Sequence, residues 1–383
     1  MALRFLYFDV NASDSFAPAE IERARRYHRP LYAALFLDWA LQAGVLALVA
    51  FGAPNGWTAG PWWARVLELV ALTLGLSALV RLPLSAWRGW ARERRWGFST
   101  QSFGSWLEDL AKGLFLGLAL SGLALLALVW SARTWPSWWP AVAAPAAALL
   151  ALVLSLLAPL LFERLFNRFS PLEDEALARD LRELSVQAEV PVRTILVSDA
   201  SRRTTKHNAY VSGLGPTRRL VVFDTLLGDA SVGELRAVVA HELGHRRFRH
   251  VAVGTALAMV GAAVGVLVVW LVLRWSPGPA MGAGDPRAVP LIMLVLWLLE
   301  VVALPWETWL SRRWERTADR FALELTGDRA TLETMHRRLA LANLADLDPP
   351  RALYVLLFTH PTPPERIAAA RAANPGVRHV PRV

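Results

Sequence analysis

Five consecutive residues, His241-Glu242-Leu243-Gly244-His245, have the types and spacing to do chemistry. In a helix, residues four apart share a face, with about 6 Å between them. Two imidazoles so placed can bind one Zn²⁺. Glu242 sits one position on from the first imidazole. There a carboxylate reaches a water at the metal without being a ligand, which suits a general base. A catalytic zinc keeps three protein ligands and one open position. The chain has no cysteine, so the third ligand must be a carboxylate or another histidine. Glu315 is the candidate, in Ser311-Arg-Arg-Trp-Glu315-Arg-Thr-Ala318-Asp319. Asp319, one helical turn further, could accept a hydrogen bond from the far nitrogen of a liganding imidazole and fix its tautomer. The competing reading of Glu315 and Asp319 is an exposed acidic face paired with Arg312, Arg316 and Arg320. Beside the H-E-x-x-H run, the metal reading is preferred.

The elements that must position these residues are legible nearby. Ser231 reads as a helix N-cap, and Glu234 three positions later completes a capping box. The spacing predicts a helix over Val232–Arg249 that leads almost directly into an apolar run. Upstream, Glu173–Gln187 has helical spacing with mixed charge. Val192–Val197 alternates as a strand does, and Asn208–Ser212 and Arg219–Phe223 are two further short strands. Segment 163–250 therefore reads as a small α/β unit.

The rest of the chain is set by its apolarity. Of 383 residues, 55% are hydrophobic and only 19% are charged. Soluble proteins average about 25% charged. The mean hydropathy of +0.34 points the same way. This composition excludes disorder, and zero Cys excludes a disulfide scaffold and any thiol nucleophile. The net charge of +9 is no nucleic-acid signal, because the Arg residues are spread through loops.

A bilayer core needs about 20 apolar residues in a helix. Six segments qualify: Leu31–Phe51, Ala64–Val80, Leu110–Trp130, Pro140–Phe162, Val251–Leu273 and Ala288–Trp306. Asp38 and Glu300 fall inside spans, where acids usually face protein or a cavity, or pair with polar neighbours. Arg-rich and Arg-poor connections alternate, so the positive-inside rule places both termini and the long segment after the fourth span in the cytoplasm. Trp57, Trp62, Trp63, Trp130, Trp135, Trp138, Trp139 and Trp275 gather at the outer span ends as an aromatic belt would. The first 30 residues are polar and lack the apolar core of a cleavable signal, so the first span is expected to act as an uncleaved anchor.

With these motifs in hand, the chain resembles the gluzincin membrane metallopeptidases that include the type I CAAX prenyl protease and the heat-shock protease HtpX. Seven stretches carry the resemblance to the prenyl-protease branch: Ala19–Tyr32, Leu165–Leu172, Ser201–Leu214, Val221–Leu226, Val239–His250, Ser311–Ala322 and His360–Ile367. One departure is that the eukaryotic enzymes have seven spans where this chain shows six, which resembles a shorter bacterial form.

The resemblance implies a mainly α fold: a polytopic membrane bundle of about six spans, with a zincin-type α+β peptidase unit on the cytoplasmic side of a bacterial inner membrane. Five parts follow: a cytoplasmic segment 1–30, four spans over 31–162, the peptidase unit 163–250, two spans over 251–310, and a C-terminal part 311–383 with the third ligand. It implies one Zn²⁺ per chain held by His241, His245 and Glu315, with Glu242 as base and proton shuttle. Asn208 falls at a strand that could hold an extended peptide. His360 could donate to an oxyanion. Arg366 could pair with a substrate carboxylate or with a structural acid. His207 and His250 read as non-ligands, His250 pointing elsewhere on its helix, and His28, His336 and His379 read as surface residues. The expected activity is zinc-dependent endoproteolysis of a peptide or protein substrate, lipidated or not. An HtpX-like quality-control protease is the alternative, and a non-enzymatic scaffold or transporter is a weaker one.

Overall fold

The computed structural model describes residues 10–52, 60–213, 217–275 and 282–373, so His379 and Trp57 lie outside the described residues. The helical elements of the first half are α1 (Pro18–Gly52), α2 (Trp62–Ala86), α3 (Arg92–Arg95), α4 (Phe103–Thr134) and α5 (Trp139–Phe166). A π turn at Trp87–Ala91 joins α2 to α3. Next come β1 (Phe169–Pro171), α6 (Glu175–Gln187), β2 (Thr194–Ser198), β3 (Ala209–Ser212) and β4 (Arg219–Phe223). The chain closes with α7 (Asp224–Asp229), α8 (Val232–Arg247), α9 (His250–Trp275), α10 (Val289–Thr326), α11 (Arg329–Ala342), α12 (Arg351–Leu357) and α13 (Pro363–Ala372).

The chain parts into two compact units. One comprises 31–157 and 254–303; the other comprises 1–30, 158–253 and 304–383. The apolar unit is built on Val66, Leu69 and Val70 of α2, Leu125 and Val129 of α4, Val266 and Val269 of α9, and Val289 and Ile292 of α10. Its outward side chains are apolar too: Leu48 is 63% exposed, Phe115 73% and Val260 60%. Water tolerates no such continuous apolar surface, whereas lipid does. Among the described residues, six helices are long and apolar enough to cross a membrane, as expected.

Several helices run past their apolar runs. α2 extends to Ala86, so Arg81 sits on the helix, not in a loop. From there it grips Asp38 through two bonds, of 2.8 Å and 2.6 Å, and reaches Gln42 at 2.7 Å. Asp38 is thus a buried acid with a partner, while Glu300 is exposed on α10.

The other unit is α+β. Its sheet has the order β1-β2-β4-β3, with β2 and β4 parallel and both outer pairs antiparallel. The sequence missed β1, which has only three residues and ends in Pro171. β4 is buried on both faces at Leu220, Val221 and Val222, as a central strand should be. α6 packs Leu181 and Leu184 into the same core as Leu235, Val239 and Leu243 of α8 and Leu332 and Met335 of α11. α8 starts where its cap chemistry says: the Ser231 hydroxyl accepts from Glu234 N, and the Glu234 carboxylate accepts from Ser231 N. At its other end Arg246 donates to the Val211 carbonyl, tying α8 to the sheet edge β3.

Candidate metal centre

The α8 core face fixes where His241 and His245 point. Val239, Ala240 and Leu243 are fully buried, so the helix cannot rotate without exposing them. The two imidazoles meet edge to face, with their Nε2 atoms 3.1 Å apart.

Glu315 arrives from α10. Its Oε2 lies 3.3 Å from His241 Nε2, and its Oε1 lies 3.2 Å from His245 Nε2. One ligand atom from each of the three residues lies within 4.8 Å of the other two. The approach of α10 to α8 depends on a residue the sequence reading passed over. A Cβ on Gly244 would stand 3.1 Å from Ala318 Cα and 3.2 Å from the Phe321 ring. A glycine inside the H-E-x-x-H run, facing an alanine three residues after Glu315, is what lets the carboxylate reach both imidazoles.

The arrangement fits a cation. Two ring nitrogens and a carboxylate are turned toward one point, although the nitrogens would repel if each presented a lone pair to nothing. Glu315 Oε2 is buried without a hydrogen bond, and the groups that face it, His241 Nε2 at 3.3 Å and Arg366 Nη2 at 3.8 Å, can carry positive charge, so this carboxylate oxygen is held where a cation belongs. A His₂Glu set of neutral imidazoles and one carboxylate is a usual donor set for zinc.

A second group of residues holds the first in place. His241 Nδ1 lies 2.8 Å from Asp319 Oδ1 and so donates to it. Asp319 in turn accepts a forked pair from Arg366, Nε to Oδ2 at 2.7 Å and Nη2 to Oδ1 at 2.5 Å. Of the two roles open to Arg366, the structural acid is the one its contacts describe. His336 departs from expectation. It is buried, not at the surface, with Nε2 3.6 Å from Asp319 Oδ1 and no hydrogen-bond partner. It was missed because α11 folds back on α8, a long-range contact that spacing does not reveal. Burial beside the Arg366 guanidinium pushes His336 down to about 3, so it is neutral. Burial also opposes a proton on His241, yet the carboxylates of Asp319 and Glu315 outweigh it and push this imidazole up to about 10. A metal must therefore displace a proton to bind there. Burial likewise raises the Glu242 carboxyl above its ordinary range, against the pull of His241 and His245.

Glu242 and His241 line a cavity of about 350 Å³ that also takes in Asn208, His336, His360 and Arg366. His360 Nε2 stands 3.4 Å from Glu315 Oε1 on a side chain that is 58% exposed. Its loop is pinned from α10. Arg312, 1% exposed and one turn before Glu315, donates to the carbonyls of Tyr354 and Phe358. Arg312 is therefore not part of an exposed acidic-basic face. Asn208 precedes β3 and caps its own strand, its Oδ1 accepting from Ala209 N at 2.9 Å. His207 is turned to Asp229 at 2.9 Å, away from the ligand set. His28 bonds the Leu344 carbonyl at 2.7 Å. His250 stays outside the ligand set, but it does not point away: its Nδ1 is 3.0 Å from His245 Nδ1.

Residues 171–374, which contain all of these ligands, match the family model for peptidase family M48. The chain belongs to that family. It is a membrane metallopeptidase, with residues 22–168 matching the model described as the CAAX prenyl protease N-terminal, five membrane helices. A metalloprotease of Bacillus subtilis, YhfN, is 28% identical over 94% of this chain and 88% of its own length. CAAX prenyl protease 1 of Saccharomyces cerevisiae is 34% identical over 49% of this chain, which spans 42% of that enzyme. The crystal structure of S. mikatae Ste24p shares the fold, with a TM-score of 0.78 at 24% identity over 93% of this chain and 90% of that one. As an M48 enzyme the chain is a hydrolase of peptide bonds that depends on a metal, and the His₂Glu geometry supplies a place for it.

Proposed function

We propose that the protein is a zinc endopeptidase of the bacterial inner membrane, with the active site at the cytoplasmic side, that cleaves near the C-terminus of lipidated peptides. The observation that carries the catalytic part is the convergence of His241, His245 and Glu315 beside Glu242, with a carboxylate oxygen of Glu315 buried without a hydrogen bond. The lipidated substrate rests on the name of the yeast relative and on the matched N-terminal helices.

In this reading His241, His245 and Glu315 hold one Zn²⁺. When bound, zinc supplies Lewis acidity that polarises the scissile carbonyl and makes a water acidic. Glu242 takes the proton from the attacking water and later gives it to the leaving amine. Its raised affinity for a proton suits both halves of that transfer. His360, on its pinned loop beside Glu315, donates to the oxyanion that forms on the substrate. The edge of β3 after Asn208 holds the peptide extended through the main-chain groups that Arg246 and the Asn208 side chain do not already engage. Arg366 serves the site through Asp319 and does not bind substrate. The peptidase segments 163–250 and 311–383 act together, since each contributes ligands.

The substrate is tested with matched peptides. Full-length protein in detergent is given a C-terminal peptide with and without a prenyl group on its cysteine. The proposal expects chelator-sensitive cleavage with kcat/KM at least tenfold higher for the prenylated peptide. Equal cleavage of both, or cleavage only of unfolded membrane proteins, would replace it with a quality-control role.

A further inference from the structure

We propose that His250 is the positioning residue for His245: it accepts the Nδ1–H of His245 and so holds Nε2 toward the metal. This rests on the reading of His245 as a ligand. An imidazole that binds a metal through Nε2 must carry its proton on Nδ1, and that N–H needs an acceptor to fix the ring. For His241 the acceptor is Asp319, at 2.8 Å. For His245 the group at hydrogen-bond distance from Nδ1 is the Nδ1 of His250, at 3.0 Å.

His250 reaches that place by a break in the helix. Along an unbroken helix, residues five apart lie about 140° around the axis from each other and do not meet. Here α8 ends at Arg247, Arg249 takes a left-handed conformation with φ of 56°, and α9 begins at His250. The turn brings the ring back against His245, with centroids 5.1 Å apart and planes at 75°. Once there, His250 is 6% exposed and clamped by stacking. It lies on Trp314, the neighbour of Glu315, at 5.1 Å and 9°, and beside Phe248 at 6.0 Å and 23°. A ring so fixed can present a lone pair at one place. To accept, it must be the neutral tautomer with its proton on Nε2.

The two ligand imidazoles are thus backed unequally, His241 by a carboxylate and His245 by a neutral ring. The neutral acceptor orients its ligand without adding negative charge, which leaves the metal more acidic than two carboxylates would.

Two substitutions in the full-length protein separate the hydrogen bond from the packing. His250→Phe keeps a stacked ring and loses the acceptor. His250→Gln loses the ring and keeps an acceptor. Zinc affinity is measured by competition with a buffered chelator, after the Tm of each metal-free variant shows that it folds. His250→Leu replaces the Phe variant if that one does not fold. The expected result is zinc binding weaker by about 10–100-fold in His250→Phe and within about threefold of wild type in His250→Gln. Wild-type affinity in His250→Phe, or equal loss in both variants, would overturn the inference and leave His250 as packing. Failure of the wild-type protein to bind zinc would instead sink the proposed function, so the two failures are distinguishable.

Discussion

The two compact units differ in how their buried polar groups are connected. In the apolar unit three are settled locally: Arg81 with Asp38 and Gln42, Thr73 with the carbonyl one turn back, Ser155 with Thr255. Each set closes on itself and leads nowhere. In the α+β unit one group hands on to the next. Arg366 holds Asp319, Asp319 orients His241, and His241 faces Glu315 and His245. At the end of that chain Glu315 Oε2 is buried without a hydrogen bond, facing the Nε2 atoms of the two imidazoles. Local sets secure a fold, whereas a series that ends in ligand atoms turned to one point makes a site.

That contrast orders the consequences of mutation. The largest effect is expected from Glu315→Ala, which removes the carboxylate from the ligand set. Metal content of the purified protein should fall to background and peptidase activity with it, while the fold survives by circular dichroism. Next is Asp319→Asn. It weakens the orientation of His241 and leaves the buried Arg366 guanidinium without its partner charge. Zinc affinity should drop by about 10–100-fold, as competition titration would show. The same variant has a pH signature. With Asp319 intact, His241 holds a proton up to about 10, so below that pH a proton competes with the metal and affinity falls as pH falls. Removing the carboxylate lowers that proton affinity, so the pH dependence of zinc binding should flatten.

Gly244→Ala comes third. Its new methyl meets the Ala318 backbone at 3.1 Å and must push α10 away from α8. A loss of about 1–3 kcal/mol in stability is expected, read as a lower Tm, together with weaker metal binding because Glu315 moves with its helix. The smallest functional effect belongs to the other unit. Asp38→Asn leaves Arg81, a third exposed, without its ion pair. It should cost about 1–3 kcal/mol of stability, with activity per folded molecule unchanged. If Asp38→Asn abolished zinc binding, the separation of the two kinds of buried polar group would be wrong.

What the sequence could show followed from how local each signal is. The H-E-x-x-H spacing, the Ser231 cap and the six apolar runs lie within a few turns of chain, and the structure places helices on all of them. Glu315 and Asp319 stood out because helical spacing puts them on one face with an alanine between. His336 did not, since only the return of α11 onto α8 buries it. His250 was misjudged by treating α8 as unbroken, because a positive φ at Arg249 leaves no mark in residue type. Arg312 looked like one of several surface arginines, and its partners are main-chain carbonyls that no sequence pattern displays.

The central claim is that His241, His245 and Glu315 hold the metal while Glu242 moves the proton. The most direct measurement pairs metal content with turnover in Glu242→Gln, a substitution that keeps the shape and removes the base. The account predicts one zinc per chain, as in wild type, with kcat lower by about 10²–10⁴-fold. Retained turnover in a zinc-loaded Glu242→Gln protein would contradict it.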